Sequence, residues 1–326
     1  MSDFNKIVFL SPVCTHNIWG GDRLCDEFHY LVPDKHTGEC WGISATPGGE
    51  GIVKNGSFRG MRLSQLWQEH PELFGNIGGD RFPLLTKIID ARENLSIQVH
   101  PDDAYAREQE NGSLGKTECW YILDCPENAK LVIGHNAATK DELREMIAQG
   151  RWKEFIREVP VKKGDFIQID PGTVHAIEGG FLILETQQNS DITYRVYDYD
   201  RLSDGKPREL HIEKSIDVIQ VPAKAVEDSI KSTNGLPLNQ MNLLYSGQYY
   251  SVFKMRVEGS AEFEQKYPFL LLSVCEGKGY VNGIPLERGE HFILPFGFGK
   301  VELEGDLMLI ASTTGDVLQE EKVCNR

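Results

Sequence analysis

Short apolar runs alternate with clusters of glycine, proline, asparagine and aspartate along this whole chain. Such punctuation leaves room for many strands and tight turns and for few long helices. Candidate strands lie at 6–10, 84–90, 94–100, 118–124, 130–134, 166–170, 181–186, 269–275, 291–295 and 307–311. The clearest helix spans 139–150: Thr139 and Glu142 form a capping box, Leu143, Met146 and Ile147 share a face, and Gly150 ends it. A second short helix is expected at 151–158, with others near 63–70, 102–110 and 210–219. These helices interrupt the strands rather than alternate with them, so the chain is read as mainly β and not as a parallel α/β sheet.

A weak internal repeat divides the chain. Val159-Pro160-Val161-Lys162-Lys163-Gly164 resembles Ile284-Pro285-Leu286-Glu287-Arg288-Gly289. In both copies a strand follows, and a second glycine, Gly172 or Gly297, stands eight residues on. Eleven residues past the first glycine stands His175 in one copy and Lys300 in the other. Two related β-domains are therefore expected, one with a histidine and one without. The stretch 222–240 loses its apolar period and is read as the linker or boundary.

Composition narrows the function. The 326 residues are 40% hydrophobic and 25% charged, ordinary values for a globular protein with one large or two medium domains. A net charge of −15 repels polyanions, which argues against a nucleic-acid partner. No apolar run approaches the roughly 18 residues that a membrane span needs. The N-terminal apolar patch is too short for a signal peptide, so a cytoplasmic location is expected. The seven cysteines are irregularly spaced without C-x-x-C, which argues for reduced thiols rather than disulfides or a thiolate zinc site. Nothing in the sequence fixes an oligomeric state. Phosphate-loop, dinucleotide-fold, G-x-S-x-G and H-E-x-x-H patterns are all absent.

The chemistry concentrates in a few strands. In N-L-S-I-Q-V-H-P-D-D, residues 94–103, apolar Leu95, Ile97 and Val99 alternate with Ser96, Gln98 and His100, which share the other strand face. The ordinary alternative is a polar row facing water. Glu118 opens an apolar strand and shares a face with Trp120 and Ile122, a poor place for a carboxylate without a cation. His175 follows the Pro171-Gly172 turn. Taken together, Gln98, His100, Glu118 and His175 offer an N/O ligand set that fits zinc, and also iron, manganese or nickel. Lys87, Lys116 and Arg195 stand in or beside apolar strands and would supply the local cations that an anionic substrate needs in an acidic protein. Arg195 would otherwise pair internally with Asp191 or Asp198.

The ordered set L-S-I-Q-V-H-P at 95–101, G-K-T-E at 115–118, P-G-T-V-H-A-I at 171–177 and D-I-T-Y-R at 191–195 resembles the zinc-dependent mannose-6-phosphate isomerases of type I, in their short bacterial form. Gly164, Gly172 and His175 resemble the second motif of the cupin superfamily. The resemblance implies two cupin-type jelly-roll barrels. Residues 1–225 would form the catalytic metal-binding domain, with a short helical insertion around 139–158. Residues 226–326 would form a cupin-like domain without metal ligands, since Lys300 replaces the motif histidine. It further implies one zinc per chain on Gln98, His100, Glu118 and His175, and Arg195 as a catalytic arginine. Lys87 and Lys116 would lie in the pocket, with Ser96 near the phosphate of a small sugar substrate. Longer members read H-K-P-E where this chain has G-K-T-E, so no histidine before the lysine can carry a proton here.

The implied reaction interconverts mannose 6-phosphate and fructose 6-phosphate through an enediol. Lys116 is the expected proton shuttle to oxygen, provided burial or nearby cations lower its pKa. The carbon base is left open between Lys116, a zinc-bound water and a pocket carboxylate. Two other readings compete. A cupin metal oxygenase would consume O₂, and it does not explain Lys87, Lys116 and Arg195 together. A sugar-binding or regulatory cupin would bind without turnover.

Overall fold

Strands with one apolar face must stack that face on another layer, and this chain solves the problem three times. The computed structural model describes residues 7–203 and 205–318. Seven strands form one antiparallel sheet in the order Ile230–Ser232, Asp165–Ile169, Glu118–Asp124, Phe181–Gln188, Leu84–Ala91, Val13–Gly21 and Thr37–Ile43. Five form a second: Tyr194–Tyr197, Ile97–Val99, His175–Ala176, Lys130–His135 and Ile156–Pro160. Ile89, Trp120, Ile122 and Ile183 of the first pack against Leu131, Ile133 and Val159 of the second. The outer face of the five-stranded sheet, with Ile97, Val99 and Val132, is covered by Leu143, Met146, Phe155 and Ile216 from three short helices.

The C-terminal half folds a large sheet upon itself. Strands Tyr250–Gln265 and Gly299–Thr314 pair along all sixteen residues, and Leu270–Val281 lies on the far side of the latter. Its interior is apolar, built from Val257, Leu270, Leu272, Phe292, Leu303 and Leu307. Each such side chain contributes about 1.5–3 kcal/mol by leaving water. A third core joins the halves, with Cys119, Tyr121 and Leu184 against Tyr250, Leu271 and Ile310. The halves also exchange strands. Val8–Ser11 pairs with His291–Leu294 in the C-terminal sheet, and Ile230–Ser232 pairs with Asp165–Ile169 in the first.

The architecture is the mainly β, two-unit cupin-type fold that the sequence implied, although its sheets stay open rather than closing into barrels. The internal repeat has a structural basis. Gly164, Gly172, Gly289 and Gly297 all adopt positive φ, from +69° to +93°, at the turns that bracket equivalent strands. The 139–150 helix forms as Lys140–Ala148, and the Thr139 side chain accepts from Glu142 N–H.

Several boundaries differ from the sequence reading. The helix expected at 151–158 is one turn, Trp152–Phe155, because β-branched Ile156 and Val159 are drawn into a strand on Lys130–His135. The 222–240 stretch is not merely a linker, since it carries strand Ile230–Ser232. The strand expected at 6–10 runs from Val8 to Ser11, and Lys6 lies outside the described residues. Among the described residues no cysteine is bridged; Cys324 lies outside them. No described helix is long and apolar enough to cross a membrane.

Candidate active site

Register places the polar side chains. In the five-stranded sheet, Arg195, Gln98 and His175 are direct neighbours across three strands. In the facing sheet, Trp41, Lys87, Glu185 and Trp120 form a second row across four strands. Direct cross-strand partners share a face, so each row presents its side chains together. The rows enclose a cavity of about 190 Å³ whose walls include Lys87, Ser96, Gln98, Lys116, Glu185 and Arg195.

Behind Gln98 and Lys116 of the cavity wall, His100, Glu118 and His175 meet, with ligand atoms all within 4.8 Å of one another. All three are at most 1% exposed. His100 Nδ1 lies 2.8 Å from the Ile192 carbonyl and His175 Nδ1 2.9 Å from the Thr173 carbonyl. A carbonyl only accepts, so each Nδ1 carries the proton and each Nε2 keeps its lone pair. Those lone pairs point toward Glu118, with Nε2–O distances of 3.4 and 3.3 Å. Burial, aided by Lys116, pushes the His100 pKa down to about 3, and burial lowers that of His175, so both rings are neutral. Burial opposes charge on Glu118, but the neighbouring Lys116 ammonium prevails and holds its pKa well below the usual carboxylate range.

These residues fit a metal ion. Neither Glu118 oxygen accepts a well-formed hydrogen bond, a costly state for a buried carboxylate. The Gln98 amide lies 3.3 Å from His175 Nε2, and its other atom accepts from Ser96 Oγ at 3.2 Å. A turn of that amide brings oxygen toward the cluster. Histidines oriented by carbonyls, with their Nε2 lone pairs turned to one carboxylate, are the usual surroundings of a bound divalent cation. Lys116 Nζ stands 2.7 Å from Glu118 and 3.2 Å from His100 Nε2, competing for the same lone pairs.

The expected cations divide unequally. Lys87 is not free: Glu185 lies at 3.4 Å and Glu39 at 3.7 Å, and despite burial these carboxylates raise its pKa. Lys116 is buried, as one arm of the shuttle reading asked, and the charges beside it are carboxylates, Glu118 and Glu185, the latter at 3.9 Å. Arg195 has no ion-pair partner among the described residues, and its buried Nε makes no hydrogen bond. Of the two internal partners that the alternative reading offered, Asp191 forms no ion pair with it and Asp198 is taken by Arg201 and by Nε and Nη2 of Arg208. Burial, with Arg208 nearby, lowers the Arg195 pKa.

Glu185 and Arg208 line the cavity and were not singled out in the sequence. Glu185 was detectable, since it interrupts the apolar run F-L-I-L-E-T as Lys87 interrupts L-L-T-K-I-I. Burial and then Glu118 raise its pKa. Its Oε2 accepts from Trp120 Nε1 at 2.9 Å, while Oε1 makes no hydrogen bond. Arg208 lies in a polar, aperiodic segment that carried no signal.

Comparison with known proteins agrees with this geometry. Residues 7–133 match the family described as phosphomannose isomerase type I, catalytic domain, and residues 240–314 the mannose-6-phosphate isomerase cupin domain. The chain is 50% identical over 319 residues to mannose-6-phosphate isomerase ManA of Bacillus subtilis, covering 94% of this chain and 98% of that protein. It is 48% identical to the mannose-6-phosphate isomerase of Streptococcus mutans, covering 95% and 98%. The crystal structure of the Bacillus subtilis mannose 6-phosphate isomerase superposes with a TM-score of 0.87 at 46% identity, over 94% of this chain and 99% of that one. With two units matched in order and near-full-length relatives at half identity, the chain belongs to the type I phosphomannose isomerase family.

Proposed function

We propose that the chain is a metal-dependent aldose–ketose isomerase that interconverts mannose 6-phosphate and fructose 6-phosphate in the cytoplasm. The observation that carries this reading is the convergence of His100, Glu118 and His175 directly behind the wall of a cavity lined by Gln98, Lys116, Glu185 and Arg195. Gln98 completes the ligand set, and the N/O donors suit one zinc ion per chain. Residues 1–225 are assigned the metal-binding unit, and 226–326 a cupin-like unit without ligands.

The isomerisation removes a proton from C2 and returns one at C1, while a hydroxyl proton leaves one oxygen and another is gained by its neighbour. When bound, zinc supplies Lewis-acid polarisation of the sugar oxygens. Glu185, a buried carboxylate with a raised pKa and an oxygen that accepts no well-formed hydrogen bond, is assigned the carbon-bound proton. Lys116 donates hydrogen bonds and moves a proton at the oxygens. Arg195 brings its unpaired charge to the enediolate. Lys87 and Arg208 offset the phosphate's charge, and Ser96 Oγ lies on the same wall. Binding energy from the phosphate then orients the reacting carbons.

A coupled assay on mannose 6-phosphate tests the proposal, run on the protein as purified, after chelation and after zinc is returned. Turnover is expected to vanish with the chelator and to return with zinc. Binding without turnover in the presence of any divalent metal would replace this reading with a sugar-binding cupin.

A further inference from the structure

Lys116 and Glu118 stand at the irregular start of a strand. The regular strand begins only at Glu118, so the amides of Gly115, Lys116 and Thr117 must find partners elsewhere. Gly115 N–H donates to Asp103 Oδ1 at 2.7 Å, Lys116 N–H to the Pro101 carbonyl at 3.0 Å, and Thr117 N–H to Gln188 Oε1 at 2.8 Å. Gln188 then returns twice. Its backbone N–H donates to the Thr117 carbonyl at 3.0 Å, and its Nε2 to the same Asp103 oxygen at 3.0 Å. Gln188 is 3% exposed and Thr117 4%. Gly115 permits the close approach, since a Cβ there would lie 2.4 Å from the Asp102 carbonyl carbon and 2.5 Å from the Asp103 nitrogen.

We infer that Gln188 and Asp103 are positioning residues, a clamp on the 115–117 backbone that sets where Lys116 Nζ and the Glu118 carboxylate stand. Neither residue lines the cavity. Both act through the two that they hold. The lysine stem is flexible, so the fixed position of its Cα decides whether Nζ reaches Glu118, Glu185 or substrate. Misplacement by about 1 Å costs an enzyme on the order of a hundredfold in rate. The catalytic part of this inference rests on the isomerase reading above; the metal-holding part does not.

Gln188→Met keeps length and volume and removes both side-chain hydrogen bonds. It is expected to lower kcat at least tenfold, to leave KM within about twofold, and to speed zinc loss to a chelator about tenfold through a loosened Glu118. In a Lys116→Met background the same change should cost less than it does alone, because it acts through Lys116. Asp103→Ala, at a partly exposed position, should reproduce the loss and carries the test if Gln188→Met does not fold. Asp103→Asn retains the acceptor oxygen and should rescue kcat and zinc retention. Unchanged kcat and zinc loss in both disruptive variants, or fully additive effects with Lys116→Met, would overturn the clamp. Absence of turnover in the unmodified chain with every divalent metal would instead remove the isomerase reading, and the zinc-loss comparison would still decide the clamp.

Discussion

His100 and His291 are both 1% exposed, and burial pushes both pKa values down to about 3. Their second nitrogens differ. In the C-terminal half, His291 has Ser273 Oγ at 2.8 Å from Nδ1 and Tyr30 OH at 2.8 Å from Nε2, so both ring nitrogens are engaged. In the N-terminal half, His100 uses Nδ1 on a carbonyl and leaves Nε2 facing Glu118 and Lys116. One ring is a strut between the halves, held by a hydroxyl on each side; the other turns its Nε2 lone pair to a lysine and a carboxylate. Burial and a depressed pKa do not tell a ligand from a structural histidine, but the partner of each ring nitrogen does.

Breaking the comparison at His100 should have the largest effect. His100→Ala is expected to lose bound zinc, read by metal analysis, and about 10³-fold or more of kcat. Arg195→Ala should keep the metal and lose on the order of 10²-fold in kcat, since it removes charge from the oxyanion and no ligand. His291→Ala should leave metal content and kcat intact. It leaves a cavity and strips the buried Ser273 hydroxyl and the half-buried Tyr30 hydroxyl of one partner each, at a cost of roughly 2–4 kcal/mol in denaturant unfolding.

A smaller effect separates charge from architecture within the first half. Asp90 is 2% exposed; burial raises its pKa to about 6 from the usual 3.8, although Arg23 N–H donates to it. The native state therefore takes up this proton before the unfolded chain does, and stability falls as pH rises from about 4 to about 6. Asp90→Asn should be more stable than the parent at pH 8, by on the order of 2 kcal/mol, and should lose that advantage at pH 4. The smallest change is expected at the repeat-equivalent of His175. Lys300 is 57% exposed and bridges Glu262 and Glu302 on the surface. Lys300→His should create no zinc site and leave kcat unaltered, as metal analysis and the coupled assay would read.

Strict alternation made the strand of Ser96, Gln98 and His100 legible, and an acid or base within an apolar run flagged Glu118 and Lys87. The same rule applied to Glu185 would have found it. The long strand Tyr250–Gln265 was missed because three consecutive exposed residues, Glu258, Gly259 and Ser260, interrupt its alternation. Arg208 was invisible for another reason. It gains its place through Asp198, ten residues away in a segment without period, and only folding brings the two together.

The exchanged strands also set a schedule for making the protein. Val8 finds its partner at Ile293, about 285 residues later. At ordinary rates of synthesis that segment waits roughly fifteen seconds to a minute, exposing apolar Val8, Phe9 and Leu10 beside an unsatisfied edge. During that interval the growing chain depends on whatever shields a nascent strand: one edge can pair early with Ile52–Val53, and the other waits for the C-terminal half.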